Sequence, residues 1–108
     1  MQSFTRALLV SCSLALAAGC SQNVGEVACE DVITTIGDVA ERCGYDRQAT
    51  EDDFRRLLPV ECAEIVELRD ADSFYDECLP QLGALTCGEF DDPSFTLPPS
   101  CRDQLLYR

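Results

Sequence analysis

The sequence predicts an all-α domain: a small disulfide-stapled bundle of three to four short helices, with an irregular Pro-rich C-terminal segment. Three observations carry that prediction. Eight cysteines in 108 residues is the density of a disulfide scaffold in a chain that leaves the reducing cytosol. Apolar residues recur at helical rather than alternating spacing after residue 27, the mark of amphipathic helices. Prolines then gather at 93, 98 and 99, where a regular element cannot run.

The first element is a leader. Arg6 supplies positive charge, and residues 7–18 (ALLVSCSLALAA) are uncharged. That run is too short for a transmembrane helix, which needs about 20 residues, and has the length of a signal-peptide core. It ends in Ala17-Ala18-Gly19-Cys20. Small residues leading into Gly-Cys resemble the lipobox of bacterial lipoprotein precursors. The resemblance implies diacylglyceryl attachment to the Cys20 sulfur, cleavage between Gly19 and Cys20, and usually acylation of the new amino group. It departs in one place: Ala17 stands where Leu is commonest, with Leu16 one position earlier.

The competing reading is a freely secreted protein, cut after the A-x-A site Ala15-Leu16-Ala17. Parity separates the two. Cys12 leaves with the leader in either case, so a free protein would carry an odd number of thiols, a liability in an oxidising compartment. With Cys20 consumed as a thioether, Cys29, Cys43, Cys62, Cys78, Cys87 and Cys101 remain, enough for three disulfides. The expected organisation is a leader over 1–19, a lipidated cysteine and tether over 20–26, and a helical domain over 27–108. The tether reaches only ~20 Å when extended. Ser21 after the cysteine resembles the outer-membrane default of Gram-negative lipoproteins.

Residues 27–43 form the clearest helix, with Cys29, Ile33, Ile36, Ala40 and Cys43 on one face and Val32 and Val39 widening it. Glu30 and Asp31 near its start and Arg42 near its end suit the dipole, and Gly44 is the expected C′ residue. A second helix is expected to open at Thr50, with Asp53 approximating a capping box and Phe54, Leu57 and Leu58 facing inward. Pro59 is well placed to begin a third, burying Cys62, Ile65 and Val66. A fourth stretch begins near Ser73, capped by Asp72 or Ser73, with Tyr75, Cys78, Leu79, Leu82 and Leu85 on one face and Pro80 interrupting it. Residues 88–100 read as an extended loop pinned by Cys101.

Cys29 and Cys43 lie about 21 Å apart along one helix, so they cannot pair with each other; the remaining pairings stay open. Structural zinc sites bring cysteines in close pairs, often with His. Here 13, 18, 15, 8 and 13 residues separate the six cysteines, and His is absent, so no metal or cofactor is expected. The same spacing separates the chain from saposin-like and seed-albumin-type scaffolds. Without His or Lys there is no general base or Schiff-base amine for nucleophilic catalysis. The acidic runs 51–53 and 91–92 are read as helix-start acid and solvated loop. Residues 70–81 imitate a calcium loop but place Phe74, Tyr75 and Gln81 at positions a calcium loop needs for ligands and its turn Gly. No catalytic residues are assigned.

Loss of Arg6 leaves seven arginines against 20 acidic residues. That surface repels nucleic acid and anionic lipid, so the lipid on Cys20 must provide the membrane attachment; solubility explains the acid, with an unidentified basic protein as the alternative partner. The mature part resembles the small cysteine-rich lipoproteins of Gram-negative bacteria, a resemblance that identifies no activity. The expectation is a non-catalytic binding or structural module of the cell envelope. The alternative is an inhibitor or ligand-capture module using residues 89–99, where Phe90, Phe95 and Leu97 sit among prolines. Closure of a thin core is the favoured role of those three.

Overall fold

A computed structural model describes residues 23–108. The leader, Cys20 and the first two tether residues lie outside the described residues. The domain is built on α1 (Val24–Arg42), whose stripe of Ala28, Cys29, Val32, Ile33, Ile36, Val39 and Ala40 is buried. The Asn23 side chain caps it by accepting from the Glu26 amide. Its start at Val24 shortens the tether expected over 20–26, because Asn23 supplies a cap that apolar spacing does not reveal. Gly44, at φ +88°, ends the helix as expected.

α2 (Arg47–Leu57) starts three residues earlier than Thr50, because Asp46 is the N-cap and accepts from the Ala49 amide. The Thr50 hydroxyl instead donates to the Asp46 carbonyl. Glu51, Asp52 and Asp53 therefore lie inside the helix rather than in its first turn. No residue of α2 is buried, and Leu57, expected inward, is 80% exposed.

The helix expected from Pro59 does not form, and the domain is not strictly all-α. A 3₁₀ turn at Cys62–Glu64 leads into β1 (Ile65–Leu68), which pairs antiparallel with β2 (Leu105–Tyr107), Ile65 opposite Tyr107. Cys62 is bonded to Cys29 in the second turn of α1, and the β-branched Ile65 and Val66 favour extended backbone. A two-stranded ribbon is marginal alone; this one lies on α1, burying Ile65 beside Cys29 and Ile33. A Cβ on Gly25 would come within 2.5 Å of the Ile65 carbonyl oxygen, so only glycine allows the helix start to reach the strand.

Ala71–Ser73, a wide π-type turn at Phe74–Cys78, and Leu79–Gly83 run on as one helical stretch, α3 (residues 71–83). Asp70, rather than Asp72 or Ser73, caps it by accepting from the Ser73 amide. A proline within a helix removes a donor and crowds the carbonyl four residues back; the wide turn ahead of Pro80 accommodates both. Phe74, Cys78 and Leu82 are buried, and Tyr75, expected on that face, is 42% exposed.

The expected loop over 88–100 begins instead with a short helix, α4 (Cys87–Asp91), held by a capping box in which Thr86 and Glu89 satisfy each other's amides. The chain returns through a 3₁₀ turn at Pro99–Cys101 to β2. Buried Gln104 ties the return together: its side-chain oxygen accepts from the Asp70 amide and its nitrogen donates to the Ser100 carbonyl.

All six cysteines of the described residues are paired: Cys29–Cys62, Cys43–Cys87 and Cys78–Cys101. Each closes a loop of 23 to 44 residues, for which chain entropy predicts about 3–4 kcal/mol of stabilisation.

Candidate functional site

The second and third of these disulfides bracket one segment. Cys87 is bonded to the end of α1 and Cys101 to the middle of α3, so residues 88–100 are held at both ends against the core. Within the segment, the Asp92 carboxylate accepts from the Ser94 amide and hydroxyl, and Arg102 donates to the Leu97 carbonyl. The Asp92 carboxyl is held below its ordinary range by the Ser94 bonds, and that of Glu89 by its bond to the Thr86 amide. The segment is a braced arch.

Under the arch lies an apolar groove of about 500 Å³. Its far wall is α2, through Phe54 and Leu57; its floor is Ile36 of α1 with Leu82 and Leu85; its near wall is Phe90, Phe95 and Leu97. The volume falls within the range of small-ligand sites. Phe90 and Leu97 are partly buried and pack against the core, whereas Phe95 is 37% exposed. The expectation that all three close the core therefore holds for Phe90 and Leu97 but not for Phe95.

Ion pairs supplement the half-buried Phe54 in holding α2 against α1. Arg47 donates to Glu41 at 2.9 Å and Glu51 at 3.3 Å, and also pairs with Asp38. The Glu51 side chain passes so close to Gly37 that a Cβ there would lie 2.4 Å from its carboxylate oxygen. At the other end, Arg55 grips Glu30 with two bonds of 2.7 and 3.0 Å, which hold the Glu30 carboxyl below its ordinary range. Tyr45 connects the helix–helix turn to the arch: its ring meets Phe90 edge-on at 5.7 Å and its hydroxyl donates to Asp91, raising the phenol pKa.

Chemically the groove offers burial to an apolar group. Thr50 and the exposed Asp53, itself paired with Arg56, are the polar side chains along it. The calcium-like segment is helical: Asp70 caps it and Glu77 accepts from Ser73. Among the described residues, no three His, Cys, Asp or Glu side chains converge as a metal would need.

Cys20 lies outside the described residues, so the structure bears on the six paired cysteines and the arch. Sequence reasoning identified the near wall and missed the far one. Phe54, expected inward, packs half-buried against the core, whereas Leu57 lies at the surface; the strongly polar composition of 47–57 is the signal for the latter. Comparisons with protein-family models, with curated proteins and with solved structures give no match.

Proposed function

We propose that this protein is an exported lipoprotein of the bacterial cell envelope, anchored through Cys20, whose rigid domain is a non-catalytic binding or structural module. The observation that carries the reading is the lipobox-like Ala17-Ala18-Gly19-Cys20 placed immediately before a disulfide domain. Its support from structure is the pairing of the six downstream cysteines among themselves, which leaves no described thiol to take Cys20 as a partner. The absence of His and Lys from the sequence supports the non-catalytic part. In a Gram-negative host, Ser21 favours the outer membrane.

Intact mass of the membrane-extracted protein, before and after reduction, tests the reading. A chain beginning at Cys20 with added acyl mass, gaining six hydrogens as its three disulfides open, is the expected result. A soluble product beginning at Ala18 would sink the anchor.

The groove favours a second reading, ligand capture through residues 89–99. A braced loop loses little entropy on binding, and the groove beneath it takes an apolar group. A neutral solvatochromic dye should bind the wild type, and Phe95→Ser should weaken that binding without altering stability; equal binding by both proteins would remove this reading.

A further inference from the structure

A second apolar surface lies at the other end of α1, away from the arch. Val24 is 66% exposed, Val27 39% and Tyr75 42%. These three, with Leu68, Ala71 and Glu67, line one shallow depression of about 430 Å³. Val24, Val27 and Asp31 follow one another along a single face of the helix, and the Tyr75 hydroxyl reaches toward Asp31 at 3.4 Å. The tyrosine ring, set edge-on to Phe74 at 5.0 Å, flanks this face half-exposed with its polar tip toward the acid. Core packing does not account for three large apolar side chains left in solvent together.

Their place in the chain does. Only Ser21, Gln22 and Asn23 separate Cys20 from Val24, and four residue steps span at most about 14 Å. The headgroup layer on each side of the hydrocarbon is itself about 5–7 Å deep. A lipid on Cys20 therefore holds Val24 at the membrane surface whatever path the short tether takes. Valine and tyrosine suit that boundary, tyrosine because its ring and hydroxyl divide between apolar and wet surroundings.

We infer that Val24, Val27 and Tyr75 form a membrane-contact face that docks the domain, α1 start downward, onto the bilayer that carries its anchor. The inference rests on the lipid-anchor reading above. A weak face suffices, because the anchor makes docking an intramolecular event at high effective concentration. Glu67 at the edge of the face keeps the contact shallow. The opposite end of α1 lies about 27 Å along the helix axis, so Tyr45 and the start of α2 lie well away from the contact face.

The chain contains no tryptophan, so single-tryptophan variants report one position each. The lipidated protein carrying Tyr75→Trp, Val24→Trp or Tyr45→Trp would be placed in phosphatidylcholine vesicles brominated near the headgroup. Intact mass would establish the anchor first. Docking predicts blue-shifted emission and loss of intensity to bromine for Tyr75→Trp and Val24→Trp, with Tyr45→Trp unaffected. Val24 is so exposed that its variant folds even if the tyrosine replacement does not. Quenching no greater than that of Tyr45→Trp in an anchored protein would overturn docking and leave the anchor standing. A blue shift without bromine quenching would mean that the protein's own acyl chains or a second copy cover the face, and would equally overturn it. Absence of acyl mass would bring down anchor and docking together.

Discussion

α1 and α2 lie side by side, joined by a four-residue turn, and are held by opposite means. α1 buries nine residues and carries two disulfide cysteines, Cys29 within it and Cys43 at its cap. α2 buries none and carries no cysteine; it rests on α1 through Arg47, Arg55 and the half-buried Phe54. Apolar burial and covalent closure survive salt and acid, whereas exposed ion pairs weaken in both. The difference teaches that the groove has one fixed wall and one wall free to adjust. The arch and α1 are the frame, and α2 is the adjustable side.

Breaking the frame should cost most. Replacing Cys29 and Cys62 together by Ser should lower stability by about 2–5 kcal/mol, read from the urea midpoint. Ile33→Ala, fully buried in α1, should cost a comparable ~2–5 kcal/mol. A loss below about 1 kcal/mol in either variant would remove the frame from the comparison.

Acid tests the adjustable side. Because the Arg55 bond depresses the folded pKa of Glu30, its stabilisation is complete above the ordinary glutamate pKa. It is lost as pH falls through the depressed folded value. Amide exchange in α2 should therefore accelerate on passing from neutral pH to about pH 3 by more than the intrinsic change, while α1 stays protected. Joint loss of protection in both helices would mean that they open as one unit. Glu30→Gln should reproduce the acid effect at neutral pH, within the ~1 kcal/mol of a solvent-exposed pair. Leu57→Asn should change stability least, within about 0.5 kcal/mol, because its side chain lies in solvent.

The same contrast explains what could be read from residues alone. α1 was legible because its apolar stripe persists for five turns, long enough for periodicity to outweigh local noise. β1 was not: Ile65-Val66-Glu67-Leu68 is too short to display a period, and its partner strand lies about 40 residues away. The start of α2 was obscured by two caps in competition, Thr50 with a convincing acid three residues on, and Asp46 four residues earlier. Asp46 prevails because it directly follows the Gly44–Tyr45 turn that ends α1. Thr86 and Glu89 spelled out a capping box that the neighbouring prolines overshadowed. The groove was legible only on its near side, where Phe90, Phe95 and Leu97 stand among prolines; Ile36 and Phe54 meet them only through folding. The disulfides could be counted but not paired, apart from the exclusion of Cys29 with Cys43.

Gly25 touches the backbone of Ile65, and Ile65 is paired with Tyr107. The first helical turn and the final strand of the described residues thus meet at one pole. If Cys20 carries the proposed lipid, a reporter domain fused after Arg108 would emerge at the pole that the anchor holds to the bilayer and compete with it for space. One inserted at the Gly44 turn would project from the opposite end of α1, leaving the pole of Gly25 and Tyr107 clear.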